Sequence, residues 1–326
     1  IYWLSAVGVA AFAYYFTRLL QEAGTDLPVE SFILCMASLQ WIIGPVLAYA
    51  GFSDHYKYYM YIDEEAYMAL AVPGVIALSL GLYTFRARKR PLLVRSYAEG
   101  TRQVVDQTRF LPFYLIGIGF FFSFLVHRFP PALAFPAYIF SNIKYIGLIY
   151  LIFSEKQQHK AAVLIGAFVM TFMSSLKGAM FHDLLLWSAF IGMYAAYVFR
   201  PSLSRKLLFV ALGMVFIFVL QSSKDLYREK LKESGQGRAL ETFVMSVDER
   251  MELDAMSRSS NMERFTVRIN QGWIISRIML LVPEYIPHAQ GETIKVALKA
   301  SVLPRLLFPD KPIAGGRVNY EKYTCL

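Results

Sequence analysis

Residues 66–126 read AYMALAVPGVIALSLGLYTFRARKRPLLVRSYAEGTRQVVDQTRFLPFYLIGIGFFFSFLV. Two apolar runs, at about 66–85 and 110–126, flank a segment that carries Arg86, Arg88, Lys89, Arg90, Arg95, Arg102 and Arg109 against only Glu99 and Asp106. A run of about 20 apolar residues spans the roughly 30 Å hydrocarbon core of a bilayer. Basic residues crowd the short loops on the cytoplasmic side. The stretch therefore predicts two membrane-spanning helices joined by a cytoplasmic loop.

Working outward, similar runs appear at about 1–17, 31–52, 131–153, 161–176, 179–199 and 206–222. The expected fold is an all-α polytopic transmembrane bundle of about eight spans. Composition agrees: of 326 residues, 56% are hydrophobic and 17% charged, against roughly 25% charged in soluble domains. The net charge of +9 falls mainly in short loops, where topology accounts for it, so nucleic acid is not expected as a partner. Cys35 and Cys325 have neither metal-ligand nor disulfide spacing.

Counting from the basic loop, the turn at 127–130 is external, 155–160 cytoplasmic, 177–178 external and 200–206 cytoplasmic. In the other direction 54–65 is external, and 18–30 is cytoplasmic despite its net negative charge. Residues 1–222 then form the bundle, and 223–326 an extracytoplasmic segment, partly helical and partly re-entrant. Within it, 239–256 sets Leu240, Phe243, Val244, Val247 and Met251 on one helical face and Glu241, Asp248, Glu249 and Arg250 on the other. That helix is expected on the bilayer surface or on the bundle. The chain begins inside an apolar run and stops without a helix end, as a fragment does.

The external segment holds most of the candidate chemistry. Arg264 and Arg268, four residues apart, share a helix face, and Arg277 follows within the apolar stretch 272–282. Guanidinium forks match phosphate oxygens and stay charged at any relevant pH. A pyrophosphate-bearing ligand would satisfy all three, as would lipid headgroups, or the arginines simply form an interfacial face. Further on, VLPRLLFPDKP at 302–312 is broken by three prolines and followed by Gly315-Gly316. A broken, charged segment at membrane depth lines a cavity or is buried in protein. Arg305 and Lys311 would neutralise phosphate there, and Asp310 or Glu292 would take a proton from an attacking hydroxyl. An Arg305–Asp310 salt bridge that fixes the loop is the structural alternative. His288 ranks below the carboxylates as a base. Lys177, at an external turn followed by His182 and Asp183 inside an apolar helix, would reach the same phosphate if the external segment folds over it.

Walker, dinucleotide-glycine, HExxH and GxSxG signatures are missing from the sequence. No metal site is expected.

Gly291-Glu292-Thr293, Leu303-Pro304-Arg305 and Pro309-Asp310-Lys311-Pro312, preceded by Arg268-Ile269-Asn270, resemble the external-loop region of bacterial oligosaccharide repeat unit polymerases, the Wzy-type O-antigen polymerases. The resemblance covers about residues 268–312, with Phe308 where the family commonly has tryptophan. It implies a glycosyltransferase of polysaccharide biosynthesis in the bacterial inner membrane. Such an enzyme moves a growing oligosaccharide from undecaprenyl pyrophosphate to a lipid-linked repeat unit on the external face. Membrane lipids and a chain-length regulator are the other implied partners, and no cofactor is needed. In this reading Arg264, Arg268, Arg277, Lys311 and Lys177 bind pyrophosphate, and Asp310, Glu292 and Arg305 are catalytic. Alternatives from other classes are an O-antigen ligase-like transferase, a polysaccharide transporter or flippase using Lys177, His182 and Asp183, and a scaffold that binds a protein partner.

Overall fold

The computed structural model describes residues 2–52, 58–84, 90–155, 159–234, 236–256, 258–302, 308 and 316–325. The described residues form helices α1 (Trp3–Glu22), α2 (Val29–Phe52), α3 (Glu64–Thr84), α4 (Arg90–Gln107), α5 (Leu111–Leu125), α6 (Pro131–Phe153), α7 (Lys160–Gly178), α8 (His182–Phe199) and α9 (Leu203–Ser234). These are followed by α10 (Ala239–Met256), α11 (Arg258–Ile269), α12 (Gly272–Leu281), α13 (Glu292–Val302) and α14 (Arg317–Thr324). No strand occurs among them.

Seven helices, α1 to α3 and α6 to α9, are long and apolar enough to cross a membrane, and the bent pair α4–α5 makes an eighth if it counts as one span. The protein is an all-α, multi-pass membrane bundle. Each predicted apolar run has its helix. The expected boundary between 1–222 and 223–326 falls inside α9, which runs on to Ser234.

Where the sequence predicts a basic loop, the chain instead forms α4, bent 90° from α5. The cause is local. Ala98 and Val105 lie on one helical face and are buried, Ala98 beside Phe153 and Tyr197, while Arg95 and Glu99 pair across one exposed turn. Charge content masks this amphipathic pattern. The bend falls at Pro112, which has no N–H with which to carry on the hydrogen bonding of α4 and sits in the first turn of α5, where a proline is tolerated.

The chain divides into two compact units, one comprising Ile1–Phe12, Met36–Ala77 and Thr266–Leu326, the other Ala13–Cys35 and Leu78–Phe265. In the second unit, α5 and α6 approach until backbone meets backbone. A Cβ at Gly147 would lie 2.7 Å from the Pro112 carbonyl and 2.9 Å from the Ile116 nitrogen, and one at Gly119 would lie 2.8 Å from the Lys144 Cα. Small residues give membrane helices this close fit, because lipid supplies no hydrophobic drive between them. Helix α10 spans the predicted residues and packs on its unit's bundle: Ala239 and Phe243 are buried with Leu176, Phe181, Leu220 and Tyr227, and the Tyr227 hydroxyl donates to the Leu176 carbonyl at 2.7 Å.

Candidate functional site

In the first unit the site grows from a defect in α2. Residues Leu39–Ile43 form a π-helical turn, in which the Gly44 N–H reaches back five residues to the Leu39 carbonyl. Pro45 follows and has no N–H to give. The carbonyls of Gln40 and Trp41 therefore lose their helical donors, and inside a bilayer such groups must find others. The Gln271 N–H donates to the Gln40 carbonyl at 3.1 Å, and the Tyr67 hydroxyl donates to the Trp41 carbonyl at 2.9 Å.

The elbow between α11 and α12 is thus docked on the break in α2. Gly44 and Gly272 make that contact possible. A Cβ on Gly44 would fall 2.6 Å from the Asn270 Cα, and one on Gly272 would collide with the Tyr67 hydroxyl and the Pro45 ring. Asn270 is fully buried; its side-chain oxygen accepts the Trp273 N–H at 3.3 Å and its amide faces the Met60 sulfur at 3.4 Å.

One turn on, α12 positions Arg277. Its Nε donates to the Thr324 carbonyl at the end of α14 at 3.0 Å, where the helix dipole favours a cation. Its guanidinium lies 4.5 Å from the Tyr61 ring centroid. Ser276 holds Tyr61 in place by accepting its backbone N–H at 3.2 Å. Burial pushes the Tyr61 phenol above its ordinary pKa, while the neighbouring Arg277 pulls it down. Trp273 lies against Tyr58 at 5.0 Å and Tyr320 at 6.3 Å between ring centroids. Among the described residues Arg277 has no carboxylate within ion-pair distance. A half-buried guanidinium held by a carbonyl and a ring keeps its positive field for an incoming anion.

The other predicted residues are distributed unevenly. Arg268 sits half-buried in the last turn of α11, and Glu292 opens α13 in full exposure. Gly291, at φ +82°, makes the turn into α13 in a conformation that glycine adopts without strain. His288 is exposed. Arg264 and Lys177 belong to the second unit, so the structure groups Arg268, Arg277 and Glu292 in one unit and those two in the other. Arg305, Asp310 and Lys311 lie outside the described residues.

Lys177 is exposed at the last turn of α7. Asp183, in the first turn of α8, accepts from the Tyr138 hydroxyl at 3.4 Å. The residue that sequence reading passes over is Lys144, in α6. It is 7% exposed, donates to the Ser123 hydroxyl at 2.7 Å and lies 4.9 Å from the Tyr145 ring centroid. The available signal was a single cation inside the apolar run 131–153, since ionisable groups inside spans are seldom idle. No group of His, Cys, Asp and Glu among the described residues has the geometry to hold a metal ion.

No protein-family model, curated protein or solved structure matches this chain.

Proposed function

We propose that the protein is a membrane glycan polymerase, transferring an oligosaccharide from a polyprenyl pyrophosphate carrier to a second lipid-linked repeat unit on the extracytoplasmic side of a bacterial inner membrane. The observation that carries this reading is Arg277, a half-buried cation with neutral partners on a helix docked rigidly against α2, within the stretch 268–312 that resembles the polymerase loop.

In the transfer, the acceptor hydroxyl oxygen forms a bond to the anomeric carbon as the bond from that carbon to the pyrophosphate oxygen breaks. The pyrophosphate departs on its lipid with the bonding electrons, and the hydroxyl proton passes to a carboxylate. Arg277, with Arg268, faces the charge growing on the leaving pyrophosphate, the kind of stabilisation whose removal costs about a hundredfold or more in turnover. Glu292, exposed at the start of α13, is open to an acceptor and serves as the base, a role Asp310 shares as an alternative. Tyr58 and Tyr61, both partly exposed, offer flat apolar faces on which sugar rings stack.

The test is a chain-length assay. The full-length gene is expressed in a polymerase-deficient bacterial host that makes the cognate repeat unit, and surface glycan is resolved on a gel. Wild type is expected to give a ladder and Arg277→Ala single repeats at equal protein level. Single repeats from wild type, or an unchanged ladder from the variant, sink the reading. A ligase instead leaves full-length polymer on the carrier when inactivated.

A further inference from the structure

Among the described residues Lys144 is the one buried cation, the proposed transfer does not use it, and its surroundings explain little about why it is there. An ammonium has three N–H groups. One donates to Ser123, and the remaining contacts among the described residues are the faces of Phe120 at 5.6 Å and Tyr145 at 4.9 Å. Asp183 acts on it electrostatically from beyond ion-pair distance. A lysine more than nine-tenths buried with most of its donors unmatched is costly unless something else completes the site.

A second observation lies beside it. Helices α6, α7 and α8 enclose a cleft of about 230 Å³ lined by Tyr145, Leu148, Thr171, Leu184, Trp187 and Gly192, among others. The lining is almost entirely hydrocarbon and aromatic, and Tyr145 stacks on Trp187 with centroids 4.2 Å apart. The cleft and the cation are joined by one ring: Tyr145 lines the cleft and carries the Lys144 ammonium 4.9 Å from its centroid. The lysine's flexible four-carbon stem would let the ammonium turn past that ring toward the cleft.

An apolar slot with a desolvated cation beside it fits an amphiphile. We propose that the α6–α8 cleft binds the hydrocarbon chain of a membrane lipid and that Lys144, with Ser123, holds that lipid's phosphate. This site is independent of the Arg277 site and does not rest on the polymerase reading. Two sources share the chemistry, a diacyl phospholipid and a polyprenyl phosphate. Asp183, which acts on Lys144 electrostatically, disfavours a pyrophosphate, with its greater charge, relative to a single phosphate group.

The test uses the full chain, delipidated in detergent and followed by native mass spectrometry. The probes are phosphatidylglycerol, undecaprenyl monophosphate, diacylglycerol as a chain without phosphate, and inorganic phosphate. Both phosphate lipids, or one of them, are expected to bind about tenfold or more tighter than diacylglycerol, the scale of a hydrogen bond to a charged group, and the tighter of the two identifies the source. Lys144→Gln is expected to abolish the difference and Lys144→Arg to keep it. Gly192→Leu, which fills open space in the cleft, is expected to weaken every lipid without changing the headgroup preference. Equal binding of diacylglycerol by wild type, a preference that survives Lys144→Gln, or unchanged affinity in Gly192→Leu overturns the proposal. Displacement of the lipid by millimolar inorganic phosphate also overturns it, by showing an anion site that needs no chain. If Lys144→Gln does not fold, the wild-type comparison and Gly192→Leu decide.

Discussion

Two regions deal with the same difficulty, polar groups at membrane depth, in opposite ways. In the first unit the break in α2 frees two carbonyls, and both are taken up at once, by the Gln271 N–H and by the Tyr67 hydroxyl. In the second unit the Lys144 ammonium is brought to the α5–α6 contact and given a single hydroxyl acceptor. The first arrangement is closed, so its cost of burial is offset within the protein and its worth is rigidity. The second is open, so the deficit itself points to a ligand. A fully matched polar group in lipid is thus best read as architecture, and a poorly matched one as a site.

The contrast can be broken experimentally, beginning with the largest effect. Gly272→Val pushes a branched side chain into Tyr67 and Pro45 and is expected to destabilise the protein by about 3 kcal/mol or more. Thermal unfolding followed by size-exclusion fluorescence in detergent would read it, and a variant as stable as wild type would mean that the elbow is not docked on α2. Arg277→Ala is expected to lower polymerisation about a hundredfold, or about 2.7 kcal/mol, while leaving the melting temperature near wild type. A drop in stability without a drop in chain length would make Arg277 a mere cap of α14.

Gly147→Leu separates α5 from α6 where the Pro112 carbonyl lies close and is expected to cost about 1–3 kcal/mol, visible as faster proteolysis of the hairpin. Tyr67→Phe removes only the hydroxyl and strands the Trp41 carbonyl, a loss of about 1–2 kcal/mol. Loss of under a few tenths in the same melting assay would show that water or lipid reaches this break, and the closed description would fail. Gly213→Ala, inside α9 with open space around the new methyl, is the control expected to cost nothing and to gain at most about 1 kcal/mol from alanine's better helix propensity.

Much of the bundle was legible because a bilayer reads hydropathy along the chain one residue at a time. Runs 31–52, 131–153 and 179–199 each became a helix within a few residues of the expected ends, and the amphipathic stretch 239–256 became α10. In the segment expected as a basic loop, residues 90–107 form α4, where charge content outweighed periodicity in the sequence. Arg95 is exposed and pairs with Glu99 along α4, while Ala98 and Val105 are buried on it.

Sequence alone determined the class of the protein, the number of candidate spans and the presence of arginines suited to phosphate, because each depends on residue type and local spacing. Tertiary structure decided which of those residues keep company. That Arg277 rests on Tyr61 and Thr324, residues far from it in the chain, follows from the docking of α12 on a defect in α2, and no local pattern encodes it. Lys144 shows the same limit from the other side. Its type was visible in the run 131–153, but its shortage of partners depends on what α5 and α8 bring to it, and that is fixed only when the helices pack.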